Sequence, residues 1–96
     1  MPLETTKFDI QDHIKTAEEQ AAYIQAALEE GDPAFLAKAL GDVARARGMT
    51  QVARDAGVTR EALYRALSAT GDPRLSTLMG VLAALGLRLH IAPASG

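Results

Sequence analysis

MTQVARDAGVTREALYRALS, running from Met49 to Ser68, is the stretch whose reading decides the fold. Ala53 is small and lies within a first helical segment, where it lets a second helix cross closely. Gly57 follows four residues later, where a tight turn needs left-handed backbone. Val58 then serves as an apolar plug, and Thr59 as the N-cap of a second helix. On that helix Leu63, Ala66 and Leu67 form an apolar face, while Thr59, Arg60, Glu61, Tyr64, Arg65 and Ser68 form the other. A helix that buries one face on its own domain and displays Arg, Thr, Tyr and Ser on the other suits the major groove of DNA. Gln51 opens the first helix, where its amide reaches a phosphate. The candidate DNA-binding residues are therefore Gln51, Thr59, Arg60, Glu61, Tyr64, Arg65 and Ser68. The same spacing of Ala, Gly and Val also arises in plain helical hairpins, so the flanking sequence has to discriminate.

Upstream, the chain reads as short helices punctuated by Gly and Pro. A turn around Asp9 to Ile14 places Ile10 and Ile14 four apart, on one side. Thr16 is an N-cap for AEEQAAYIQAALEE, whose Glu18 and Glu19 suit the positive end of the helix dipole. Ala21, Ile24 and Leu28 are its expected apolar stripe, and Gly31 its C′ residue. Asp32-Pro33 starts the next helix, with Phe35, Leu36, Ala39, Leu40 and Val43 apolar and an end at Gly48. Arg45 and Arg47 close it, where positive charge also suits the dipole; they are structural, backbone-contacting, or both. Downstream, the Thr59 helix is expected through about Ala69, and Gly71-Asp72-Pro73 breaks it. A last helix runs from near Ser76 to Leu85, capped by Asp72 or Ser76 and stopped by Gly86, with Leu75, Leu78, Met79, Leu82 and Leu85 apolar. In the tail, Leu87, Leu89 and Ile91 alternate with Arg88 and His90, which predicts one short strand paired with a second copy.

Charge separates along the chain. The 96 residues carry a net −2. Residues 1–40 hold three lysines against eight acids, a balance of −5, whereas residues 41–96 hold seven bases against four acids, a balance of +3. All seven of those bases are arginine, the side chain best suited to bidentate contact with phosphate and guanine. The overall sign thus conceals an acidic part and a basic part.

Several classes of function are disfavoured. There is no cysteine, which excludes disulfides, Cys-based zinc sites and thiol nucleophiles. His13 and His90 lie at opposite ends; Asp9 and His13 are four apart, but two ligands do not close a metal site. No Gly-rich phosphate loop, GxSxG or HExxH occurs, and Glu18-Glu19 and Glu29-Glu30 are neighbours along helices rather than a facing carboxylate pair. No enzyme, cofactor or metal is expected. The longest uncharged run, Leu75 to Leu87, is too short for a bilayer, and MPLETTKFDIQDH is no signal peptide, so the expectation is a soluble cytoplasmic protein.

Residues 32–89 resemble the Xre/Cro repressor family, and within it the chain is most similar to HigA-like addiction-module antidote proteins, antitoxins of type II toxin–antitoxin pairs. The resemblance is carried by FDIQDHIKTAEEQAAYIQAALEEGDPAFLAKALGDVARARGMTQVARDAGVTREALYRALS and GDPRLSTLMGVLAALGLRL, nearly the whole chain. One departure is Ala66, where many of the wider family carry a larger aliphatic. The resemblance implies an all-α, lambda-repressor-like helix-turn-helix bundle of about five to six short helices, with one short C-terminal strand. Its divisions are an acidic helical extension at 1–31, a DNA-binding domain at 32–91 with the motif at 49–68, and a flexible tail at 92–96. It also implies a homodimer that binds double-stranded operator DNA as an autorepressor and neutralises a cognate toxin, small and basic. The alternatives are a stand-alone phage-type repressor and a toxin-neutralising module without operator binding. Tyr64 either stacks on or bonds a phosphate, or packs at the helix edge. Glu61 either meets a cytosine amino group, orients an arginine, or faces solvent.

Overall fold

The computed structural model describes residues 14–94, along which five helices follow one another: α1 (Ala17–Glu30), α2 (Pro33–Arg47), α3 (Met49–Ala56), α4 (Arg60–Ala66) and α5 (Leu75–Ala84). Local chemistry accounts for most of the boundaries. Thr16 Oγ1 accepts from the Glu19 amide at 3.1 Å while the Glu19 carboxylate accepts from the Thr16 amide at 3.0 Å, so both orphan donors are satisfied at once. Gly31 ends α1 in the left-handed region (φ 73°), where its N–H reaches the Leu28 carbonyl. Asp32 then caps α2 through the Ala34 amide at 3.0 Å, with Pro33 in the first turn.

α1 packs on α2, α2 on α3, and α3 on both α4 and α5. The core lies where these contacts meet: Leu40, Val43, Leu63 and Val81 are fully buried, joined by Ile24, Val52, Leu67 and Leu85. Two helical glycines allow close approach of neighbouring elements. A Cβ at Gly41 of α2 would fall on the Leu67 carbonyl oxygen, and one at Gly80 of α5 would lie 3.1 Å from the Ala56 carbonyl oxygen of α3. Polar ties reinforce the packing. Arg47 donates to Gln20 Oε1 at 2.9 Å and to the Leu85 carbonyl at 3.0 Å, joining α2 to α1 and to the end of α5. Gln20 itself is buried and donates to the Ile14 carbonyl. Every buried side-chain nitrogen and oxygen among the described residues has a hydrogen-bond partner, as burial demands.

Five expectations are corrected. The C-terminal strand is absent: residues 87–94 form no ladder, and Ile91 is 84% exposed. Its alternation is real, but a strand exists only by pairing its N–H and C=O groups with a neighbour, and the described chain supplies none. α4 ends at Ala66 rather than near Ala69, because Leu67 leaves helical geometry (ψ 32°) and Ser68 Oγ takes the Arg65 carbonyl at 3.1 Å. Neither Asp72 nor Ser76 caps the last helix; Arg74 occupies the N-cap position without a side-chain cap bond. On α1 the buried residues are Gln20, Ile24 and Ala27, while Ala21 is exposed, a stripe rotated by one position. Phe35, expected on the apolar side of α2, is 44% exposed. The expected turn at Asp9 to Ile14 and the Asp9–His13 pair lie outside the described residues, except Ile14, which is buried in the core. Among the described residues no helix is long and apolar enough to cross a membrane.

Candidate nucleic-acid interface

The connection from α3 to α4 is built by its sequence. Gly57 adopts φ 77°, ψ 27°, and its N–H closes α3 on the Ala53 and Arg54 carbonyls. Val58 bonds back to the Ala53 carbonyl at 3.0 Å and is half-buried against the core. Thr59 then caps α4, its hydroxyl accepting from the Ala62 amide at 3.0 Å. The turn fixes which face of α4 is buried. Leu63 and Leu67 are sequestered, Ala66 is half-buried, and Thr59, Arg60, Glu61, Tyr64 and Arg65 are exposed. Leu67, beside the half-buried Ala66, is buried in the core.

Gln51, Arg60 and Tyr64 come together around one open groove, with Arg45, Met49 and Thr50 completing its walls. Arg60 is poised on Tyr64: its guanidinium carbon lies 5.4 Å from the ring centroid and Nη2 donates to the phenol oxygen at 3.4 Å. Cation and ring are thereby held as a unit. Gln51 donates to Asp55 at 2.9 Å and accepts from Arg54 at 3.4 Å, which orients its amide along α3. Glu61 and Arg65 are exposed on α4 but do not line this groove. Ser68 is half-buried, donates to the Arg65 carbonyl and pairs with Thr70, so it closes the end of α4 rather than joining the exposed face.

The two arginines that end α2 separate in role. Arg47 is turned to the α1 and α5 contacts described above, whereas Arg45 lines the groove and pairs with Asp42 at 2.7 Å. Asp42 is the feature that sequence reading passed over. It is 3% exposed, accepts from Tyr23 Oη at 2.6 Å and pairs with Lys38 at 3.3 Å as well as with Arg45. Burial acts to raise its pKa, but the hydrogen bonds from Tyr23 and Arg45 and the nearby Lys38 outweigh it, holding the carboxyl below the usual range. Burial, then the Asp42 carboxylate, pushes Tyr23 up to about 12, against a smaller opposing effect of Arg45. The available signal was an acid between Leu40 and Val43, in the middle of an otherwise buried stretch. Asp42 thus links α1, through Tyr23, to an arginine at the groove.

An uncharacterized protein of Haemophilus influenzae strain Rd is 46% identical over 84 residues, spanning 88% of this chain and 87% of that protein. No solved structure matches the chain. A family model described as "Probable addiction module antidote protein" matches residues 4–93, almost the full length. The chain belongs to that addiction-module antidote family.

Proposed function

We propose that this protein is the antitoxin of a type II toxin–antitoxin module, a non-enzymatic cytoplasmic regulator of the Xre/Cro, lambda-repressor-like helix-turn-helix type. It represses its own operon and neutralises a small basic toxin. The observation that carries the DNA-binding part is the division of α4: Leu63 and Leu67 buried on one side, Thr59, Arg60, Glu61, Tyr64 and Arg65 exposed on the other. Such a helix enters a major groove with arginines aimed at base edges. Gln51, Arg45 and the uncapped first turn of α3 line the adjoining groove, and Arg60 and Tyr64 reach it from α4; donors and cations of this kind hold a phosphate and set the register of the helix. Two copies related by a two-fold axis would place their α4 helices in successive major grooves about 34 Å apart on a palindromic operator. The acidic α1 packs on α2, away from α4 in the packing order, and carries exposed Glu18, Glu29 and Glu30 for a basic toxin.

Arg60→Ala and Arg65→Ala test the reading head. Each weakens binding to DNA from the protein's own promoter by about 1–3 kcal/mol if the side chain reads a base, with unchanged far-ultraviolet circular dichroism. Unchanged gel-shift affinity in both variants would remove α4 as the reading helix. A chain that still protects cells from its toxin while ignoring promoter DNA would favour the neutralising module without operator binding.

A further inference from the structure

Arg45 does not swing freely at the wall of the groove. Its Nη2 donates to Asp42 Oδ1 at 2.7 Å, with 37% of the side chain left in solvent. Resting on the DNA-binding reading given above, we propose that Asp42 is a positioning residue, which holds the Arg45 guanidinium in place for a phosphate of the DNA backbone. The carboxylate is itself fixed. Its Oδ2 accepts from Tyr23 of α1 at 2.6 Å and from Lys38, one turn back on α2, at 3.3 Å, which leaves Oδ1 to Arg45. The guanidinium reaches back along α2, so that Nη1 is 3.5 Å from where a Cβ at Gly41 would sit. Among the described residues its other N–H groups take no hydrogen bond, so donors remain for an anion.

Charge and donors select the phosphate. Arg45 and Arg60 line the groove with Gln51 and Tyr64, and no acid does. Asp42 does not cancel that charge, because it is 3% exposed and Lys38 pairs with it as well; Lys38, Asp42 and Arg45 sum to one positive charge. The donors around its carboxyl keep it ionised at neutral pH, against the effect of burial. Arginine suits the position, since its planar fork gives one nitrogen to a carboxylate and another to a phosphate. A flexible side chain loses rotamer freedom when it grips an anion, and one already held loses less. The loss of the Asp42 charge therefore has opposite effects under two accounts. By Coulomb attraction alone, removing an anion near the groove strengthens DNA binding; by positioning, it weakens binding because Arg45 is released. Phosphate contacts carry no base information, so the pair acts on every duplex alike.

The test titrates the full chain with promoter DNA and with a scrambled duplex of equal length, over a series of salt concentrations and below the thermal midpoint of each variant. Arg45→Ala weakens both by a similar factor, about tenfold, and lowers the slope of log affinity against log salt by about one. Asp42→Asn weakens both by about threefold, and adds nothing in an Arg45→Ala background. In the free wild type, nitrogen NMR finds rotation of the Arg45 guanidinium slowed, a measurement that stands even if Asp42→Asn does not fold. Unchanged affinity and slope in Arg45→Ala, or a loss confined to promoter DNA, would overturn the proposal. So would equal or tighter binding by folded Asp42→Asn, a further loss from it where Arg45 is absent, or a freely rotating guanidinium. Failure of the α4 reading looks different. A chain that binds both duplexes equally, and loses both with Arg45→Ala, sinks base reading by α4 and leaves this contact standing; promoter preference with Arg45→Ala indifferent does the reverse.

Discussion

Asp42 concentrates the polar chemistry of this protein in one residue. A carboxylate with 5% of its side chain in solvent is tolerable only because Tyr23, Arg45 and Lys38 surround it. Its folded pKa lies below the unfolded value, so its contribution to stability is complete above the ordinary carboxylate range and is lost as pH falls through the depressed folded pKa. Tyr23 works at the other end of the scale. Its phenol is held neutral in the folded state, so that contribution is present below about 10 and is lost as pH rises through about 12. In a Tyr64→Phe background, where Tyr23 is the remaining tyrosine, phenolate absorbance should titrate near 12 while the fold persists. Tyr23→Phe should remove the loss of stability between those pH values and cost about 1–2 kcal/mol in a neutral denaturant titration, since the buried carboxylate forfeits a hydrogen bond. A phenol that titrates at its ordinary value in the folded protein would show that the Asp42 contact is not formed in solution. The Tyr23–Asp42 contact was not legible beforehand, because the two residues are 19 apart and only packing of α1 on α2 brings them together.

At the level of elements, the helix starts were legible where a side chain makes them. Thr16, Asp32 and Thr59 each accept from an amide two or three residues ahead, and Gly31 and Gly57 take the left-handed conformations their positions called for. The start of α5 was placed within one residue, but its cap was not, because its first turn has no side-chain cap bond to find. Gly41 escaped for a different reason: its role is set by α4, not by α2. Replacing a mid-helix glycine by alanine ordinarily gains about 1 kcal/mol of helix propensity. At Gly41 the added methyl meets backbone, the Leu67 carbonyl, which cannot swing away as a side chain could. Overpacking of that kind costs about 1–3 kcal/mol, so Gly41→Ala should be a net loss, with the thermal midpoint lowered by several degrees. An unchanged or raised midpoint would mean that α2 and α4 are further apart than described.

Over the described residues, α1 carries exposed Glu18, Glu29 and Glu30 and no basic residue, whereas the arginines belong to the helices and connections that follow it. Deleting residues 1–31 would be a poor test of that separation, because Ile24 and Ala27 leave the core with α1. Reversing the exposed acids is cleaner: Glu18→Lys, Glu29→Lys and Glu30→Lys together should slow association with a basic toxin by about tenfold or more at low salt, and less at high salt. Promoter binding by the triple variant should not weaken, and its thermal midpoint should stay near that of the wild type. Equal association rates for variant and wild type would take the toxin contact off α1. The sequence by itself determined the helical class, the caps of α1, α2 and α4, the turn at Gly57 and, Ser68 apart, the residues displayed on α4, because each depends on contacts a few residues apart. It also determined the alternation at 87–91, yet not its outcome, since a strand is a relation between two chains and the described residues offer only one. Tertiary structure alone decided that Arg47 ties α2 to Gln20 and to the end of α5 while Arg45 reaches the groove, and that the outer side of α5 is left bare. Those outcomes depend on residues tens of positions apart meeting in space, and burial of one face of each helix is what brings them there.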